Sequence, residues 1–302
     1  MGKRLQLRLT TACNNHCVHC TLQDIRDLRL PDRPIHDIYK WLDWGRAKHH
    51  CDEVVLLRGE ATIRPDIGRV CRYAQRLGYS LVQVQSNGRR FADPSFTAYM
   101  ARCGMTDAEV DLYGSDATLH DTLARTPGAF EQTLRGWDNL LAQNLTVRVN
   151  IPLLSANLSS LTSMIYLVSA AGIRDIQLHF VRPVPGSGLA HLTTLNHIRL
   201  PVFSALALGS TLGLRITTEA IPFCVLGTNR EHATDADSPA HFAASTVVVD
   251  LHRTVTDLNE LRAEYRQTPA ICTTCRWVES CPKTWTSYVE LHGEEELRPE
   301  SL

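Results

Sequence analysis

The chain lacks an excess of charge of either sign: 31 Lys and Arg against 32 Asp and Glu leave a formal net charge of −1 over 302 residues. Nucleic-acid and membrane-surface binders ordinarily show a strong basic excess, so neither partner is expected. Long apolar runs are missing too, since no stretch approaches the roughly 18 consecutive residues of a membrane span. Residues 3–9 mix Lys, Arg and Gln with Leu instead of forming the apolar core of a signal peptide. Repeats and low-complexity tracts are also absent. These absences point to a soluble, cytoplasmic protein. A composition of 44% hydrophobic and 21% charged residues is ordinary for a globular chain with a real core. The length suits one large domain or two modest ones.

Cysteine, by contrast, is plentiful, with ten residues. Disulfide frameworks belong to small secreted domains, so a different use is expected here. Cys13, Cys17 and Cys20 crowd the N-terminal end, Cys272, Cys275 and Cys281 the C-terminal end, and Cys51, Cys71, Cys103 and Cys224 stand singly. Two tight thiol groups at opposite ends of such a chain point to metal.

Between them, short β-rich runs alternate with longer amphipathic ones. Strands are predicted at 6–9, 53–57, 80–85, 109–113, 146–151, 176–181 and 214–217, and helices at 35–48, 67–77, 93–101, 130–143, 161–171 and 201–212. This rhythm is that of βαβ units around a parallel sheet, an α/β fold, and about six repeats give a partial (β/α)6 barrel. In such folds the loops at the C-terminal ends of the strands carry the chemistry. After Cys224 the rhythm changes: 228–240 is polar and turn-rich, 246–250 reads as a short strand and 257–266 as a helix. The expected division is a barrel over 1–219 and a small C-terminal appendage over 220–302.

The first thiol group, Cys13-x3-Cys17-x2-Cys20, directly follows the first strand. Three thiolates within eight residues can wrap one face of an iron–sulfur cube and leave one iron open for chemistry. A structural zinc site completed by His16 or His19 is the alternative. From this motif onward the chain resembles the radical S-adenosylmethionine (SAM) superfamily. Leu56-Leu57-Arg58-Gly59-Glu60-Ala61-Thr62 stands where that family carries a Gly-Gly-Glu-Pro-like motif; Arg58 and Ala61 depart from it, and Gly59 and Glu60 keep it. Gln85-Ser86-Asn87-Gly88 is similar to the family's Thr-Asn-Gly element. Asp111-Leu112-Tyr113-Gly114-Ser115-Asp116, with His120-Asp121 behind it, is similar to the segment after the fourth strand, and Asn150 and Arg182 occupy SAM- or substrate-facing positions. The likeness runs over about 200 residues. It implies a [4Fe-4S] cluster on Cys13, Cys17 and Cys20 that chelates SAM, with Glu60 accepting from the SAM ammonium and Gly59 allowing close backbone approach. It also implies cleavage of SAM to a 5′-deoxyadenosyl radical, with an electron donor such as flavodoxin or ferredoxin.

The second group, Cys272-x2-Cys275-x5-Cys281, resembles the shortened auxiliary-cluster (twitch/SPASM-like) domain that follows many radical SAM barrels. The resemblance implies a second [4Fe-4S] cluster on Cys224, Cys272, Cys275 and Cys281. A zinc ribbon and a purely structural cluster remain alternatives, and Cys224, far upstream of the others, could instead be a free catalytic thiol near the substrate. Cys51, Cys71 and Cys103 are read as small buried hydrophobes in helical parts, and His49 and His50 as helix C-terminal residues. Gly186-Ser187-Gly188 is read as a turn, Glu294–Glu296 as a solvated tail, and Trp285 and Tyr288 as core aromatics.

The expected activity is hydrogen abstraction from a small sugar-like substrate of the aminocyclitol or aminoglycoside type, as in antibiotic biosynthesis. Dehydrogenation (an oxidoreductase) or epimerisation (an isomerase) would follow. The reason is that a peptide-modifying enzyme usually carries a leader-binding module, and the first strand begins within a few residues of Met1. Modification of a ribosomal peptide is the alternative. Asp111, Asp116, Glu219 and Glu231 are strand-end carboxylates that a cationic substrate would want. A non-enzymatic electron carrier would leave the SAM-like elements unexplained.

Overall fold

The computed structural model describes residues 3–22, 31–184, 189–235, 246–251 and 256–301. One nine-stranded sheet organises them. Its strands are β1 (Lys3–Arg8), β2 (Cys51–Leu57), β3 (Leu81–Ser86), β4 (Asp107–Asp111), β5 (Thr146–Leu153), β6 (Asp175–Phe180), β7 (Arg215–Glu219), β8 (Thr246–Val249) and β9 (Thr256–Asp257). They run in the order β7-β6-β5-β4-β3-β2-β1-β8-β9. All neighbours from β7 to β8 are parallel, and β9 alone is antiparallel. The helices are α1 (Ile35–His49), α2 (Ile67–Arg76), α3 (Pro94–Arg102), α4 (Ala117–Ala124), α5 (Ala129–Ala142), α6 (Leu161–Ala170), α7 (Leu195–Thr211), α8 (Phe223–Leu226), α9 (Leu258–Tyr265) and α10 (Thr286–His292). This is an α/β half-barrel, as the strand–helix rhythm predicts. Among the described residues no helix is long and apolar enough to cross a membrane.

The strands explain why the barrel has a usable interior. A parallel sheet covered on both faces reads as nearly continuous hydrophobic runs. Here β1 and β6 alternate instead: Leu5, Leu7, Ile176, Leu178 and Phe180 are buried under the helices, while Arg4, Gln6, Arg8, Asp175, Gln177 and His179 lie on the other face. Each fully buried Leu or Phe contributes on the order of 2 kcal/mol to the outer core. The alternate positions meet across the concave face, where Gln85 Nε2 donates to Glu109 (2.9 Å), Asn150 Nδ2 to Asp111 (2.8 Å) and Gln177 Nε2 to Glu219 (2.6 Å). The lumen is therefore polar.

Local chemistry sets the helix ends. Asp93 caps α3 by accepting from Ser95 and Phe96 N–H groups, with Pro94 at the first helical position. His50 ends α1 in the left-handed region and donates its N–H to the Gly45 carbonyl, in line with the reading of His49 and His50.

Three expectations are corrected. Cys51 opens strand β2 and is not helical; it is fully buried, as are Cys71 in α2 and Cys103 at the end of α3. Helix α7 begins six residues before Pro201, because Thr194 caps it and burial of Leu195, Ile198 and Val202 outweighs the backbone donor that Pro201 removes. Helix α4 was not expected; Asp116, placed among the strand-end carboxylates, is its N-cap and accepts from Leu119 N–H (3.0 Å). The Gly186-Ser187-Gly188 turn lies outside the described residues.

Candidate functional site

The first thiol group sits on the loop that follows β1, and its neighbours fix its course. Val18 packs with Tyr113, Leu123, Ala124, Ala129, Leu154 and Val181 in a small apolar cluster, against which Cys17 lies. His16 N–H donates to the Ala124 carbonyl (3.0 Å) and Val18 N–H to the Leu123 carbonyl (2.9 Å), pinning the loop to the end of α4. From the other side Glu60 N–H donates to the Ala12 carbonyl (2.8 Å), Asn87 Nδ2 to Asn14 Oδ1 (2.7 Å) and Arg89 Nη1 to Asn15 Oδ1 (2.9 Å). Asn15 N–H points at Cys13 Sγ (3.4 Å).

Gly59 is required there. It has φ +58°, and a Cβ would stand 2.4 Å from the Ala12 carbonyl oxygen and 2.8 Å from that of Thr10. No side chain fits between the β2 loop and the thiol loop.

Glu60 is buried and braces two strand ends. Its Oε1 accepts from Thr62 N–H (3.1 Å), Thr62 Oγ1 (2.5 Å) and Ser86 Oγ (2.8 Å), while Oε2 accepts from Asn87 N–H (2.7 Å). A carboxylate offers about four lone-pair sites, so Oε2 retains acceptor capacity. Asn150 donates to Asp111, and its own Oδ1 is buried without a hydrogen-bond partner among the described residues. Tyr113 links Asp111 (3.1 Å) to Cys17 Sγ (3.5 Å). Burial pushes the Asp111 carboxyl up to about 6, against the lowering by Asn150 and Tyr113. Arg182 lies over the Tyr265 ring at 4.1 Å. The structure thus brings Cys13, Cys17, Cys20, Gly59, Glu60, Ser86, Asn87 and Asn150 around one mouth of the barrel.

Of the remaining strand-end carboxylates, Glu219 is at this mouth but is engaged by Arg262 (3.5 Å), Arg266 (3.7 Å) and Gln177. Glu231 points outward, 70% exposed, beside His232.

The second thiol group forms its own chamber. Cys224, Cys272, Cys275 and Cys281 all line a single cavity, walled by Phe223 and Trp277. The N–H groups of Phe223 and Lys283 each point at Cys281 Sγ (3.4 Å), the kind of contact that stabilises a ligating sulfur. Short loop bonds, Cys272 N–H to Pro269 and Cys275 N–H to Cys272 (both 3.0 Å), shape the rest. Burial pushes the Cys281 thiol up to about 11. Among the described residues no three His, Cys, Asp or Glu side chains close to the spacing of a single-ion site. Trp285 and Tyr288 are buried core aromatics, as expected.

Sequence reasoning missed the basic side of the mouth: Arg8, Arg58, Arg262 and Arg266. For Arg8 the signal was available in the period-2 polar residues of β1, which a two-sided parallel sheet would have kept apolar; Arg58 follows β2, and Arg262 and Arg266 lie in and just after α9, where no such period marks them.

The half-barrel thus gathers three cysteines and a buried glutamate at its strand ends, beside a polar lumen, the arrangement in which the radical SAM motifs were expected. The sequence profile of the radical SAM superfamily matches residues 7–161, and the chain belongs to that superfamily. Among curated relatives, the AdoMet-dependent heme synthase of Methanosarcina barkeri is 29% identical over 183 residues, covering 58% of this chain and 49% of that protein. The mycofactocin maturase MftC of Mycobacterium tuberculosis is 29% identical over 171 residues, 56% of this chain and 42% of that one. The chain thus spans about half the length of these relatives. Among solved structures, SuiB of Streptococcus suis bound to SAM superposes with a TM-score of 0.70 at 13% identity, over all of this chain and 77% of SuiB. Native anSMEcpe with bound AdoMet gives 0.67 at 12% identity, over 97% of this chain and 95% of that one.

Proposed function

We propose that this radical SAM enzyme is an oxidoreductase that removes a hydrogen atom from a C–H bond of a small polar substrate held in its lumen. The observation that carries this reading is the convergence of Cys13, Cys17 and Cys20 with Glu60, Asn87 and Asn150 at the mouth of a polar half-barrel. The donor set fits a [4Fe-4S] cluster: three thiols on a braced loop. When bound and reduced, that cluster supplies the electron that splits SAM into methionine and a 5′-deoxyadenosyl radical. The chain's own part is to hold SAM. The free capacity of Glu60 Oε2 suits the ammonium, Gly59 keeps the backbone close, the buried Asn150 Oδ1 awaits a donor, and Ser86 and Asn87 fix Glu60 in place.

We assign Cys224, Cys272, Cys275 and Cys281 to a second [4Fe-4S] cluster in an appendage over 220–302. Four thiols lining one cavity supply the all-cysteine ligand set that a [4Fe-4S] cube takes. With Cys224 among the ligands, the chamber offers an electron acceptor and no spare thiol donor, which favours dehydrogenation over epimerisation. The arginines at the mouth repel a polycation. The sugar-like substrate class therefore narrows to a neutral or anionic metabolite and away from an aminoglycoside. The likeness to SuiB and to MftC favours a second reading, modification of a peptide.

Anaerobic reconstitution is expected to load about eight irons per chain, and the Cys13/Cys17/Cys20 triple alanine variant about four. With a strong reductant the wild-type protein is expected to release 5′-deoxyadenosine and methionine, and Cys17→Ala none. Bound zinc without iron, or S-adenosylhomocysteine as the main product, overturns the reading. Turnover in deuterium oxide separates the outcomes: a product two mass units lighter indicates dehydrogenation, and an isomer carrying one solvent deuterium indicates epimerisation.

A further inference from the structure

Arg58 is the residue that the chemistry above leaves unused. It stands directly after β2 with φ +82°, in the left-handed region that an arginine adopts only under strain, and the next residue, Gly59, is also at positive φ. The backbone there would be relaxed with glycine, and the sequence has arginine. Its side chain is half-buried and makes no hydrogen bond or ion pair among the described residues.

The surroundings of Arg58 are cationic. The register pairs Arg8 with Leu57 on one side and Leu7 with Val249 on the other, so Arg8, Arg58 and Asp250 end three adjacent strands. Across the mouth Arg182 lies over Tyr265, and the charged groups acting on Arg58 include Arg8, Asp250 and Arg182. Asp250 is the one carboxylate among these three, and it is already paired with Arg8 and accepts from Leu251 N–H. Arg8 Nε is buried without a partner. Burial, reinforced by Arg8, lowers the Arg58 guanidinium to about 10, so it stays charged at neutral pH. The carboxylate, hydroxyl and amide groups suited to SAM (Glu60, Ser86, Asn87) gather instead toward β3, away from this edge.

We propose that Arg58, with Arg8 beside it, binds an oxyanion of the substrate, a carboxylate or a phosphate, at the β1–β2–β8 side of the barrel mouth. Such a group supplies the bidentate acceptor that a planar guanidinium fits, and it neutralises Arg58 and Arg8, for which Asp250 is the neighbouring carboxylate among the described residues. Binding of that anion is what would retain an arginine at a backbone position suited to glycine. This proposal rests on the barrel mouth being where substrate meets SAM.

The test uses the anaerobically reconstituted full chain saturated with SAM. Inorganic pyrophosphate and tricarballylate are titrated calorimetrically into wild type, Arg58→Gln and Arg58→Gly. One of the two anions is expected to bind wild type, its identity distinguishing phosphate from carboxylate, and both variants are expected to bind it at least tenfold more weakly. SAM affinity, measured separately, should stay within twofold. Arg58→Gly should also melt about 2 °C higher than wild type, because glycine relaxes the positive φ.

The proposal is overturned if neither anion binds, if the variants bind as wild type does, or if SAM affinity falls instead, which would give Arg58 to the SAM carboxylate. A lower melting temperature for Arg58→Gly overturns it too, by making the arginine structural. Wild-type SAM cleavage is assayed in parallel. Cleavage without Arg58-dependent anion binding removes this proposal alone, and Arg58-dependent binding without cleavage removes the functional reading alone.

Discussion

At the scale of single residues, Glu109 shows what a polar lumen costs the fold. It lies in the middle of β4, buried, accepting from Gln85 Nε2 and 3.8 Å from Arg148. Burial pushes its carboxyl up to about 7; Arg148 opposes this, and Asp111 and Glu219 add to it. The unfolded chain releases this proton near 4.5. Between those values the native state binds the extra proton, so stability falls as pH rises from about 4.5 to 7. Above that window the penalty is constant, on the order of 3 kcal/mol. Glu109→Gln keeps an acceptor for Gln85 and removes the titration. The variant and wild type should therefore melt alike at pH 4.5 and diverge up to pH 8, with the variant higher. A difference that does not change with pH would rule this account out.

At the scale of elements, each predicted barrel strand and helix is present, with ends shifted by at most three residues apart from the start of α7. The reason is that a buried apolar stripe at helical spacing, or Leu, Val and Ile at strand spacing, is dictated by the outer core. Two elements were illegible for specific reasons. Helix α4 is eight residues long and begins at Asp116, whose capping role is indistinguishable in sequence from that of a strand-end carboxylate. The start of α7 was hidden by Pro201, which sequence rules treat as a boundary. The thiol loop was legible because its spacing is local. The basic edge of the mouth was not, because Arg8 and Arg58 come together only through the pairing of β1 with β2.

Helix α8 carries the element-scale prediction. Four residues long, it holds Cys224 at the cavity that Cys272, Cys275 and Cys281 also line. If Cys224 is a ligand, Cys224→Ala should lower iron from about eight to about four per chain while the SAM-binding cluster keeps its spectrum. A variant retaining all the iron while losing turnover would make Cys224 a free thiol, and would reopen epimerisation.

For the whole molecule, the question is what holds residues 256–301 against the barrel. Strand β8 extends the sheet beside β1, Trp285 Nε1 donates to the Phe180 carbonyl (2.7 Å), Ser287 Oγ to that of Pro183 (2.7 Å), and Leu195 N–H to Tyr288 Oη (3.0 Å). At the centre of this seam Arg266, 3% exposed, pairs with the fully buried Asp235, lies 3.7 Å from Glu219 and stacks on Trp285 at 4.1 Å. Asp235 also accepts from Ala220 N–H (2.8 Å), in the turn that leads to Cys224. One guanidinium therefore joins the last barrel strand, the turn before the second thiol group and the C-terminal aromatics.

Removing one partner of such a buried pair leaves an uncompensated charge, which costs about 3–5 kcal/mol, whereas removing both costs less. Arg266→Met should lower the unfolding midpoint sharply. Asp235→Asn, which keeps an acceptor for Ala220, should restore part of the loss when combined with it. The double variant should accordingly unfold above Arg266→Met in denaturant titration of the reconstituted protein. Losses that merely add would mean that the seam is held by packing on Trp285 and not by the charge pair.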